Sequence, residues 1–80
     1  MSESDLINKA INHALNDEWN DAHEIVQNLN SEIACWIHAT LHKIEGDSSN
    51  SRYWYARTRH QYEEFSDPVD ELLHIKTMHS

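Results

Sequence analysis

His38, His42 and Glu45 are spaced four and three residues apart in W-I-H-A-T-L-H-K-I-E, so on a helix their side chains share one face. Two imidazoles at that spacing can hold one divalent metal ion, and the carboxylate can add an oxygen ligand. His23, in the segment that begins at Trp19, is placed to supply a further ligand across a helical hairpin. Zinc is the ion such a set would take. The competing reading needs no cofactor: seven histidines make one such pair easy to find, and solvated or core-edge imidazoles with hydrogen-bonded nitrogens account for it.

His42 with Glu45 also has the form of a general base and its orienting carboxylate. Nothing else in the chain supports catalysis. There is no H-E-x-x-H, no Gly-rich phosphate loop, no G-x-S-x-G and no pair of metal-ligand cysteines. The expectation leans away from an enzyme.

A second polar stripe holds Tyr53, Arg57, His60 and Glu64, and Arg52, Arg57 and Arg59 form a basic island. Guanidinium groups bind carboxylate or phosphate bidentately, so this island can anchor such a group. Local pairing with Asp47, Glu63 and Glu64 explains it as well. Trp19, Trp36 and Trp54 read as wedges between helices. Trp36 lies off the centre of its apolar stripe, and if exposed it would be a contact residue for a partner. Cys35 is the only cysteine, which excludes an internal disulfide and fits a reducing compartment.

The elements that must position these groups are helices. Eighty residues make one domain, 1–80, and a single glycine and a single proline leave little material for sheet turns. Apolar stripes fall at Leu6, Ile7, Ala10, Ile11, Ala14 and Leu15, then at Trp19, Ala22, Ile25, Val26 and Leu29. A third stripe holds Ile33, Ala34, Ile37, Leu41 and Ile44 and stops at Gly46, where a left-handed C-cap is free of steric cost. The fourth carries Ser51, Trp54, Tyr55, Thr58, Tyr62 and Phe65 along one helix. Asp67-Pro68 starts a closing helix with Val69, Leu72, Leu73, Ile75 and Met78 inward, and His79 and Ser80 are expected to fray. The fold class is therefore all-α: five short helices as two antiparallel hairpins, 4–29 and 31–65, with a capping helix over 68–78. A 29-residue shift aligns Asp17 with Gly46, Ala22 with Ser51, Ile25 with Trp54, Val26 with Tyr55 and Leu29 with Thr58, an internal repeat.

Gly46-Asp47, then Ser51, then Trp54-Tyr55 resemble the two-helix repeats of the TPR and Sel1 group, with Leu15 to Leu29 a weaker copy. Thr58-Arg59 departs from the paired small residues that usually follow. The chain also resembles small bacterial proteins carrying W-I-H-A-x-L-H-x-x-E-G-D and Y-W-Y, here Trp36 to Asp47 and Tyr53 to Tyr55, a likeness that implies no activity. The TPR/Sel1 likeness implies a groove-forming scaffold for a protein or peptide.

Charge narrows the partners. The net charge of −8 repels nucleic acid and anionic lipid, no segment is long and apolar enough to span a membrane, and the acidic start is unlike a secretory signal, so the cytoplasm is expected. The leading expectation is a non-catalytic module that binds a protein or peptide, or a second copy as a homodimer. Its groove would lie between the first and third helices, with Trp36, His38, His42, Glu45, Tyr53 and Arg57 as contacts. The alternatives are a metal or small-ligand site at His23, His38, His42 and Glu45, and an inhibitor or immunity protein that meets a basic partner.

Overall fold

The structure, a computed structural model, describes residues 2–79; Met1 and Ser80, the latter expected to fray, lie outside the described residues. Helix starts follow the capping signals. The Ser2 hydroxyl accepts from the Asp5 N–H at 3.2 Å and opens α1 (Glu3–Leu15). Ser31 accepts from Ala34 and opens α3 (Glu32–Glu45). Between them lies α2 (Trp19–Val26), and Asp47 caps α4 (Ser48–Tyr55) through the Asn50 N–H. Asp67 accepts from the Val69 N–H at the start of α5 (Pro68–His79). The fold is all-α, with one 3₁₀ turn at Tyr62–Glu64 and no strand among the described residues.

The 29-residue repeat is visible in the backbone. α1 begins at Glu3 and α3 at Glu32; α2 begins at Trp19 and α4 at Ser48, and both of these are eight residues long. The aligned pair Asp17 and Gly46 are the two residues with positive φ, at 60° and 85°, among those described. Ala22 and Ser51 are both fully buried, as are, nearly, Val26 and Tyr55. Equivalent small residues let each short helix approach its long partner, and a left-handed residue turns the chain before it.

α3 is the central helix. It packs against α1, α2, α4 and α5, and every residue from Ala34 to His42 is buried. Ile7, Ala10 and Ile11 of α1, Val26 of α2, Ile37 and Leu41 of α3 and Leu72 and Ile75 of α5 form the core around it. Fully burying each of these branched side chains contributes about 1.5–3 kcal/mol. The groove expected between the first and third helices is filled, because α1 packs directly on α3 and α5 contacts both.

Two expectations fail. The fourth helix stops at Tyr55 instead of running to Phe65. Beyond it the Thr58 hydroxyl donates to the Tyr55 carbonyl and accepts from the His60 N–H, and the Arg59 N–H goes to Glu32, so side chains take the bonds that a helix would need. The closing helix is also turned from its expected phase. Glu71, Leu72 and Ile75 face the core, while Val69, Leu73 and Met78 are exposed.

Candidate functional site

Three imidazoles converge where the two hairpins meet. His38 and His42 project from the second half of α3, and His23 reaches them from α2. One ring nitrogen from each lies within 4.8 Å of the others. Ring centroids are 4.7 Å apart for His23 and His38, 5.4 Å for His23 and His42, and 4.9 Å for His38 and His42. Tryptophans close both ends of the pile. Trp19 stacks on His23 at 4.8 Å, and Trp54 of α4 stacks on His38 at 3.8 Å. Trp19 is itself fixed by its indole N–H, which donates to the Leu41 carbonyl at 2.6 Å.

Burial works against charge on two of the three rings. His38 is 3% exposed and is pushed down to about 4, by burial first and then by the neighbouring His23 and His42. His23, half-buried, is lowered by the same burial and by His42, against the opposing pull of Glu45 and Glu24. Glu45 accepts from His42 Nδ1 at 2.6 Å, which leaves the Nε2 lone pair of His42 for another partner. His38 Nδ1 is buried and has no hydrogen-bond partner, the one such side-chain atom among the described residues. A buried nitrogen in that condition is rare enough to need a reason.

Such a set has the chemistry of a metal centre. Neutral imidazole is the form that ligates, and a carboxylate on the far nitrogen of one ligand fixes its ring and raises its basicity. An ion held at roughly 2.0–2.1 Å from each nitrogen would require those nitrogens to stand closer together than that 4.8 Å limit. Of the expected ligand set, His23, His38 and His42 are brought together, while Glu45 holds His42 from behind. Two further groupings, His13 with Glu18 and Asp21, and His42 with Glu45 and Asp47, combine one histidine with exposed carboxylates.

The residues expected to meet a partner separate into two kinds. Trp36, His38 and His42 are 3%, 3% and 5% exposed, which leaves almost no surface for a protein contact. Trp36 is a wedge: its ring stacks on His60 at 3.5 Å and its N–H points inward. Glu45, Tyr53 and Arg57 stay exposed. The basic island is largely paired, Arg52 with Glu63 at 2.6 Å and Arg59 with Glu32 at 3.8 Å, while the Arg57 guanidinium lies 5.2 Å from the Trp54 ring. Cys35 is a buried free thiol.

One constellation was not expected at all. Glu71 is fully buried and accepts from Trp36 Nε1 at 2.8 Å, from the Tyr55 hydroxyl at 2.5 Å and from Lys43 Nζ at 2.8 Å. Lys43 also donates to the carbonyls of Tyr62 and Phe65 and sits 4.9 Å and 5.0 Å from the Tyr55 and Tyr62 rings. The Tyr55 hydroxyl is held far above its usual range, chiefly by burial and then by the carboxylate it serves. Every donor in this hub is matched, so it acts as a polar rivet joining α3, α4, α5 and the 62–65 segment. The sequence hints at only part of it: Trp36 and Lys43 are seven apart on the same helical face, but nothing local marks Glu71 as their partner. Comparison of the chain with protein-family models, with curated proteins and with solved structures finds no match.

Proposed function

We propose that the protein is a non-catalytic helical module that binds one divalent transition-metal ion of the zinc class at His23, His38 and His42. The observation that carries this reading is the meeting of three imidazoles from two separate hairpins, one of them with a buried, unpartnered nitrogen. All-nitrogen ligands favour zinc, cobalt, nickel or copper over magnesium or calcium, which prefer oxygen. Isothermal titration of the metal-free chain tests it. One zinc per chain is expected, with affinity lowered at least tenfold by His23→Gln and by His38→Gln and unchanged by His13→Gln. No heat and no thermal shift with zinc would remove the reading.

A second reading has its own support. Val69, Leu73 and Met78 are 48–60% exposed along α5, and Tyr53 is 57% exposed beside Arg57. These side chains favour a surface that meets a protein, a peptide or a second copy of the chain. Sedimentation at high concentration tests the last: a homodimer supports self-association, and a monomer throughout would end it.

A further inference from the structure

We propose that the hollow between α4 and the 3₁₀ turn binds a lysine or arginine through its α-carboxylate and its side-chain cation. Arg52 and Arg59 take the carboxylate, and Glu63 takes the cation. The ligand is the C-terminal residue of a peptide or the free amino acid, which present the same two charges. This site needs neither a metal ion nor a second copy of the chain, so it goes beyond both readings above.

Two hollows, of about 360 and 330 Å³, share Arg52, Tyr62 and Glu63 as lining. Ala56 and Arg59 also line the first, and Lys43 the second. In a chain of net charge −8, the space is therefore bordered by Lys43, Arg52 and Arg59 against one carboxylate, Glu63. Lys43 is already answered by the buried Glu71 and by two backbone carbonyls. Arg52 is answered by Glu63 at 2.6 Å. Arg59 is the excess charge: its side chain is 90% exposed, and its approach to Glu32 is long, at 3.8 Å. That Glu32 side chain already accepts from the Arg59 backbone N–H at 2.7 Å. The Arg59 guanidinium, with five N–H groups, thus keeps donors for another carboxylate.

Arg52 is prepared for a carboxylate and holds one of the chain's own. Its guanidinium lies 4.4 Å from the centre of the Tyr62 ring, which restrains it, and its bond to Glu63 keeps that carboxyl below its usual range. Both partners are more than half exposed, so the bond is weak in water and an incoming carboxylate can replace Glu63. A bare anion would leave Glu63 unpaired beside Glu64 in an acidic molecule. A ligand with its own cation keeps every charge matched, because Glu63 passes from Arg52 to the ligand. The Tyr62 ring and Ala56 give an apolar wall to the methylene stem that separates the two charges. Phosphate, with more negative charge and no cation, fits this arrangement less well.

NMR titration of the full chain tests this with three probes: Nα-acetyl-lysine for a peptide end, free lysine, and Nα-acetylglycine as a carboxylate without a cation. Shifts centred on Arg52, Arg59 and Glu63 are expected with Nα-acetyl-lysine and not with its C-terminal amide. Arg52→Gln should weaken that binding about tenfold. Glu63→Gln separates the two roles. It should weaken Nα-acetyl-lysine, which loses its partner, and strengthen Nα-acetylglycine, which loses its competitor. Both side chains are exposed, and unchanged Ile37 and Ile75 amide shifts verify that the variants keep the fold. Tighter binding of Nα-acetyl-lysine than of free lysine identifies a peptide end, and the reverse identifies the amino acid. The proposal is overturned by no shifts with any probe, by equal binding of the amide, by undiminished binding in Arg52→Gln, or by Glu63→Gln moving both probes in one direction. Zinc binding at His23, His38 and His42 is measured separately and is untouched by any of these results.

Discussion

At the scale of single residues, the molecule contains two buried polar centres with opposite bookkeeping. Around Glu71 every donor and acceptor is matched; around His38 one nitrogen is left over. The first set is closed on itself, and the second is where the proposed ion would bind. Removing the carboxylate alone with Glu71→Ala strands the Lys43 ammonium, the Tyr55 hydroxyl and the Trp36 N–H, and should cost about 3–5 kcal/mol in urea unfolding. Replacing both charges together, Lys43→Met with Glu71→Leu, should cost much less, because nothing charged is then left unpaired. Equal losses in the two variants would show that packing, not charge matching, is what the hub contributes. The histidine set was legible from spacing because i,i+4 geometry holds on any helix. Glu71 was not: an acid in the first turn of a helix usually favours the dipole and faces water, and nothing local distinguishes this one from Asp70 beside it.

At the scale of elements, the two hairpins repeat the same plan with different side chains at equivalent positions. His13 and His42 occupy equivalent positions and each is paired through Nδ1 with a glutamate, Glu18 at 2.8 Å and Glu45 at 2.6 Å. Lys9 stands where the second copy has His38, so the cluster forms once. The turns are equivalent as well, and they supply a paired test. Gly46→Ala meets nothing within 4 Å of the added carbon, so its cost is purely conformational and should be about 1 kcal/mol. Asp17→Gly should leave stability equal or slightly higher, since an aspartate already bears that conformation there. A destabilising Asp17→Gly in thermal melts would mean that the side chain, not the backbone, shapes the first turn. The caps and stops were readable because they act within four residues: Ser31, Gly46 and Asp67-Pro68 stand where the helices begin or end. The end of α4 was not readable. It depends on Lys43, nineteen positions away from Tyr62, capturing carbonyls that helical continuation would have used.

At the scale of the whole molecule, one central helix contributes to both centres, and its neighbours complete them. α2 and α4 close the histidine pile, while α4 and α5 close the Glu71 hub. Stability and site are thus coupled through α3. Because His38 lies below its ordinary value, the unfolded chain binds the extra proton as pH falls. Stability from this group is complete above about pH 6.5 and is lost progressively toward pH 4, with a bound ion protecting against that loss. Denaturation midpoints collected with chelator should fall across that window, and a flat profile would contradict the burial of a neutral imidazole. The measurement that bears most directly on the central claim is anomalous diffraction at the zinc edge from crystals grown with equimolar zinc. The account expects one strong peak at about 2.0–2.1 Å from nitrogens of His23, His38 and His42. A peak confined to His13, Glu18 and Asp21, or no peak with the three rings as they stand, would contradict it.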